Sequence, residues 1–209
     1  MQANGGRLSK TDYTMHMRKL TSLVLLFLMT VSTPARPASP MPRKSPELTI
    51  SEPSGKTTLL SSFKGKVVVL EFLFVKSTHC ARVAQTLNKL NGELGPRGLQ
   101  AVGIVFDAPD PSKTGGQLLP AMVENLKLTY PVGYANSRDV DSYLGRTGKE
   151  ILAIPQVVVI DRAGFIRAAT GPRTDPGLED ENSLRTLLDG LLKESPPAQG
   201  PAKTGGSKR

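Results

Sequence analysis

The 209-residue chain gathers its reactive side chains in one short run, Ser77-Thr78-His79-Cys80. Cys80 is the only cysteine, so no disulfide forms within the chain and any redox chemistry belongs to a single thiol. The thiolate, not the thiol, attacks disulfides and peroxides. His79 and Lys76 place positive charge beside Cys80, which favours the thiolate, whereas burial would oppose it. The Ser77 hydroxyl holds its proton too tightly to attack a disulfide without a dedicated base. A fourth group is Glu71, which interrupts an otherwise apolar run six residues before Ser77. If buried, its carboxyl would have a raised pKa and could act as a general base near neutrality. If it points to a polar edge, or pairs with Lys66 or another cation, it is only structural.

Other chemistries lack their residues. His16 falls in the N-terminal leader, so His79 is the one histidine beyond it. One His next to one Cys does not supply the roughly four ligands of a zinc site, and no metal or other cofactor is expected. Gly115-Gly116 reads as a turn and not as a phosphate loop, because no Gly-Lys-Ser/Thr follows. The net charge is +9, but part of it lies in the leader and the tail, and no basic helix face or long run of like charge joins them. With no tryptophan and few aromatics, the chain also lacks stacking surfaces for single-stranded nucleic acid. No nucleic-acid partner is expected.

The elements that must position these residues alternate in type. Lys66 to Phe74 is a dense β-branched and aromatic run, which predicts a buried central strand. Cys80 to Leu94 follows, with Val83, Leu87, Leu90 and Leu94 as a helical stripe, so Cys80 opens a helix. The positive end of that helix would stabilise a thiolate. Leu99 to Phe106 is a second strand. Gln117 to Lys127 reads as a helix with Pro120 in its first turn. Leu128 to Tyr134 is extended, and Val140 to Leu144 is a short helix. Gln156 to Asp161 and Phe165 to Thr170 form a hairpin around Arg162-Ala163-Gly164. Asn182 to Leu192 is a last helix with Leu184, Leu187, Leu188, Leu191 and Leu192 inward. This order predicts an α/β sandwich.

The ends read differently. Arg18 and Lys19, the apolar run Leu20 to Val31, and the small residues Thr33 and Ala35 make the three parts of a secretory signal, with cleavage after Ala35. Residues 1 to 14 look unlike the rest of the leader, so Met15 or Met17 is an alternative start. Export to the periplasm or the cell exterior is expected. The apolar run is short for a membrane span, but an uncleaved leader would tether the protein to the membrane. Residues 36–46, with Pro37, Pro40, Pro42 and Pro46, predict an extended linker. Residues 195–209, rich in Pro, Gly, Ala and Lys, predict a disordered tail.

Between these ends, three blocks resemble the thioredoxin-like superfamily, especially exported TlpA-type disulfide reductases and the related alkyl hydroperoxide reductase/thiol-specific antioxidant group. They are Gly55-Lys56 with Leu59 to Lys66 leading into the strand, Ser77 to Arg82 opening the helix, and Ala153-Ile154-Pro155-Gln156 running through Val157 to Ile166. The resemblance covers residues 47–194 and implies a thioredoxin-like three-layer α/β/α sandwich with a central mixed sheet. It implies that Pro155 follows a cis peptide bond beside the redox motif. It also implies that Ile154 offers backbone groups to a substrate chain, with His79 nearby, and that Glu71 is the buried acid that exchanges protons with the second sulfur.

The family motif is Cys-x-x-Cys, and here Ser77 stands at the first, attacking position. Peroxidases of the superfamily carry Thr/Ser-x-x-Cys at this place, but their earlier loop proline is absent from Leu73 to Lys76, and Pro155 stands where they have an arginine. The resemblance therefore implies a one-cysteine oxidoreductase in which Cys80, Ser77 and Glu71 act on protein thiols, disulfides or peroxides. Such an enzyme needs an external thiol reductant. A lone exported thiol also admits a Cys80-linked dimer. The alternative is a binding module that keeps the Pro155 groove for an extended peptide and has lost turnover.

Overall fold

The computed structural model describes residues 41–106, 114–148, 151–171 and 176–195, without the side chains of 114–117 and 176. The expected signal peptide, the first part of the linker and nearly all of the tail lie outside these residues. None of the helices among the described residues is long and apolar enough to cross a membrane.

Strand β4 (Val67–Leu73) organises the rest, because all seven of its residues are buried. A strand shows alternate side chains to opposite faces, so burial throughout requires cover on both. On one face, Val67, Val69 and Leu73 meet α1 (Thr78–Leu94), α2 (Thr114–Asn125) and α4 (Glu181–Lys193), through Val83, Leu87, Leu119, Leu184 and Leu188 among others. On the other, Val68, Leu70 and Phe72 meet Val140 and Tyr143 of α3 (Ser137–Leu144). The three layers and the mixed sheet are those expected.

The remaining strands are β1 (Arg43–Lys44), β2 (Thr49–Ser51), β3 (Thr57–Leu59), β5 (Leu99–Val105), β6 (Val132–Tyr134), β7 (Gln156–Ile160) and β8 (Phe165–Ala169). Their order across the sheet is β1-β8-β7-β4-β5-β6-β2-β3. β4, β5 and β6 are parallel, and β7 joins β4 antiparallel. This arrangement brings three features to one end of the sheet: the exit of β4, the start of α1, and the entry to β7. The register pairs Phe72 with Gln156, so Pro155 continues toward the level of Leu73.

Three expectations are corrected. The linker ends earlier than residue 46, because Arg43 and Lys44 pair with Ile166 and Phe165 as the sheet's edge strand. Proline at 42 and 46 does not prevent this, since an edge strand donates on one side only. Helix α2 begins at Thr114, so Gly115 and Gly116 are helical, and Pro120 lies inside the helix instead of in its first turn. The hydrogen bond Pro120 removes is the one to the Gly116 carbonyl. The cap of α3 is Asn136, whose side chain accepts the Asp139 N–H at 2.9 Å, so that helix also starts earlier than its apolar residues suggested.

Gly103 of β5 sits directly beside Glu71 in the parallel register. A Cβ there would lie 2.9 Å from Val132 Cγ1 and 3.3 Å from Leu73 Cδ2. Valine is stiff about its first side-chain torsion and cannot move aside cheaply. Gly103→Ala should therefore lower unfolding free energy by about 1–3 kcal/mol in urea titrations, the usual cost of overpacking.

Candidate functional site

Helix α1 begins where Ser77 leaves the helical conformation (φ −85°, ψ 116°). Its Oγ accepts the Cys80 N–H at 3.2 Å, and its own N–H is donated to the Phe74 carbonyl at 3.1 Å. Serine is among the best helix N-caps for this reason. The side chain at the attacking position of the motif is thus the cap that places Cys80 in the first helical turn.

Cys80 is 0% exposed and packs with Val83, Ala84 and Leu87 against β4. Burial pushes its thiol pKa up. Hydrogen bonding to Ser77 and to the backbone at Phe74 pulls it down, and the charge of Glu71 pushes it up again. The balance is upward, so Cys80 rests as a neutral thiol. The helix N-terminus and the neighbouring cations expected to favour a thiolate are outweighed by desolvation. A fully buried sulfur must be uncovered before it meets a second copy or any other partner.

Glu71 is also 0% exposed, and neither carboxyl oxygen has a hydrogen-bond partner. The structural alternative for this residue fails, because Lys66 donates to Gln100 Oε1 at 3.0 Å instead. By strand alternation Glu71 faces the same side as Val69 and Leu73, the side of Cys80. Burial raises its pKa well above the ordinary carboxylate value, and the nearby charge of Glu179 raises it further.

Two residues of this cluster escaped the sequence reading. Glu179 precedes Asp180, the N-cap of α4, whose carboxylate accepts the Ser183 N–H at 2.9 Å. Glu179 Oε2 lies 2.7 Å from His79 Nε2, while its Oε1 is buried without a partner. His79 therefore faces this carboxylate while its side chain stays 43% exposed. Tyr130 is buried, its hydroxyl donates to the Ala84 carbonyl at 3.3 Å, and burial followed by the charge of Glu71 raises its pKa well above the usual value. An acidic residue just before a helix cap carries no sequence signal of a distant partner. Tyr130, preceding Pro131, carries none either.

The peptide bond between Ile154 and Pro155 is cis, as the resemblance implied. Pro155 is buried and Ile154 half-buried, packed against both halves of the core. Among the described residues, no cluster of His, Cys, Asp and Glu has the geometry of a metal site.

The AhpC/TSA family model matches residues 41–169, which span every element from β1 to β8. The chain belongs to the AhpC/TSA family. Solved structures similar to it include a thioredoxin-family thiol:disulfide interchange protein from Chlorobium tepidum TLS (TM-score 0.58, 20% identity, covering 74% of this chain and 99% of that one). Another is a thiol:disulfide interchange protein from Bacteroides sp. (TM-score 0.56, 21% identity, 73% and 92%). A third is the thioredoxin domain of a thiol-disulfide oxidoreductase from Bacteroides vulgatus (TM-score 0.54, 21% identity, 70% and 96%). These likenesses establish the thioredoxin-like fold. Ser77 and Cys80 occupy the matched segment of this AhpC/TSA chain, at the start of α1.

The raised carboxyl of Glu71 makes a prediction about stability. Its folded pKa lies above its unfolded value of about 4.5, so the folded state binds the extra proton. The stabilisation is complete below that pH and is lost as pH rises through the folded pKa. Wild-type unfolding free energy should fall by up to about 1.4 kcal/mol per pH unit over this window, then level off. Glu71→Gln should lack that slope in denaturant titrations at a series of pH values.

Proposed function

We propose that this AhpC/TSA chain is an exported thiol oxidoreductase that works through one sulfur, Cys80, on protein disulfides. The observation that carries this reading is the placement of Cys80 and Glu71 in one buried, electrostatically coupled pair at the Pro155 end of the sheet. A buried thiol cannot give its proton directly to bulk water and needs an internal acceptor. Glu71, when ionised, takes the proton of the Cys80 thiol. The sulfur attacks one sulfur of the substrate disulfide, a mixed disulfide forms, and the other substrate sulfur leaves as a thiolate that takes the proton back from Glu71. An external thiol then cleaves the mixed disulfide, because the chain has no second cysteine.

Ser77 caps the helix that carries the sulfur. Pro155 and Ile154 shape the groove for an extended substrate chain. The leader, with its charged, apolar and small-residue segments, supports export. Disulfides are favoured over peroxides as substrates because Pro155 stands where an activating arginine would be needed.

The complete burial of Cys80 favours a second reading, a peptide-binding module without turnover. The two separate on one measurement. Folded, reduced protein is incubated with glutathione disulfide, and intact mass reports the adduct over time. The oxidoreductase acquires one adduct at Cys80, Cys80→Ser acquires none, and Glu71→Gln reacts about a hundredfold more slowly near pH 7, the scale of general-base assistance. No adduct without denaturant would establish the binding module instead.

A further inference from the structure

Glu71 is fully buried, so its carboxyl becomes a base for Cys80 only after its own proton has found a route to solvent. We propose that Glu179 and His79 form this route, carrying protons between Glu71 and water. The inference rests on the reading of Glu71 as the base for Cys80, but it concerns a different pair of residues.

Three ionisable groups are coupled to Glu71 through charge. They are Cys80 from α1, Tyr130 from the segment before β6, and Glu179 from the segment before α4. Its sheet neighbours, Gly103 and Val157, do not titrate. Tyr130 is a poor route, because its hydroxyl is donated to a buried carbonyl and leads only deeper into the core. Glu179 leads outward. Its Oε1 is buried without a partner, as are both oxygens of Glu71, so none of these atoms is committed to another hydrogen bond. Its Oε2 is held 2.7 Å from His79 Nε2. The Glu179 side chain is 10% exposed and that of His79 is 43% exposed, so the path runs from core to surface. Lys76 and Arg82, the other cationic residues near His79 along the chain, are both exposed.

The transfer balances without any further reactant. The Glu71 carboxylic acid gives its proton to the Glu179 carboxylate. The Glu179 acid gives a proton to the unprotonated Nε2 of His79. The imidazolium releases a proton from Nδ1 to water, and Glu71 is again a carboxylate. The reverse sequence reloads it. Both residues act through Glu71 and are positioning residues for the reaction, not groups that touch substrate.

Carboxyl-labelled glutamate and carbon NMR test this on the reduced full chain without substrate, so the outcome is independent of whether Cys80 forms mixed disulfides. The Glu71 resonance is the one missing from Glu71→Gln. In wild type, protonated and ionised Glu71 should exchange fast enough to give one averaged line throughout its titration. In His79→Gln and Glu179→Gln, exchange should slow by about a hundredfold, and the line should broaden or split near the midpoint. A purely structural ion pair would shift the midpoint and leave the line sharp. Sharp wild-type-like lines in both variants would overturn the proposal. The exposed position of His79 makes His79→Gln the safer variant for retaining the fold.

Discussion

A carboxylic acid sits inside this sheet with no hydrogen bond to either oxygen. Isolated burial of an ionised carboxylate costs several kcal/mol even after relaxation, so the group keeps its proton to higher pH than it would in water. Glu71 accepts this position because β4 is covered on both faces, and because Gly103 and Val157 flank it without charge. Cys80 lies on the same covered face. Two acids that each resist ionising beside the other do not titrate independently, and protons leave the pair in steps that belong to both. The chemical character of the site follows from that coupling, more than from the motif letters at 77–80.

Magnitudes decide why the start of a helix does not activate this thiol. A helix N-terminus stabilises a neighbouring charge by about 0.3–1 kcal/mol at the surface and up to about 2 kcal/mol when partly buried. Withdrawal of the sulfur from water works against that and prevails, with the Glu71 charge adding to it. Ser77 moderates the effect but does not reverse it. A sulfur of this kind is slow until a base relieves it of its proton. In the proposed reading Glu71 is that base, and Glu179 with His79 is the proposed link from it to the surface.

Much of this was legible in the residues. Strand β4, helix α1 and the β7–β8 hairpin each follow from a local period: unbroken burial for one, three-and-four spacing for another, and a tight turn for the third. The cis bond before Pro155 and the burial of Glu71 followed from the resemblance. Residues whose meaning depends on a partner distant in sequence were not legible. Glu179 reaches His79 only because α1 and α4 pack side by side, joined by Lys89 to Glu181 and Arg185 to Glu93. Such exposed pairs add little stability individually, and their spacing leaves no mark on either segment alone. The edge strand at Arg43–Lys44 was hidden for a similar reason, since its pairing is set by β8 and not by its own proline-rich composition.

The coupling of Cys80 to Glu71 is open to direct titration. The absorbance of the thiolate near 240 nm, followed against pH in wild type and Glu71→Gln, reports the ionisation of the only sulfhydryl in the chain. The account predicts a wild-type midpoint above the value of about 8.5 for a free cysteine, and a lower midpoint once the carboxylate is gone. A wild-type midpoint at or below that value, or one that Glu71→Gln leaves unmoved, would contradict it.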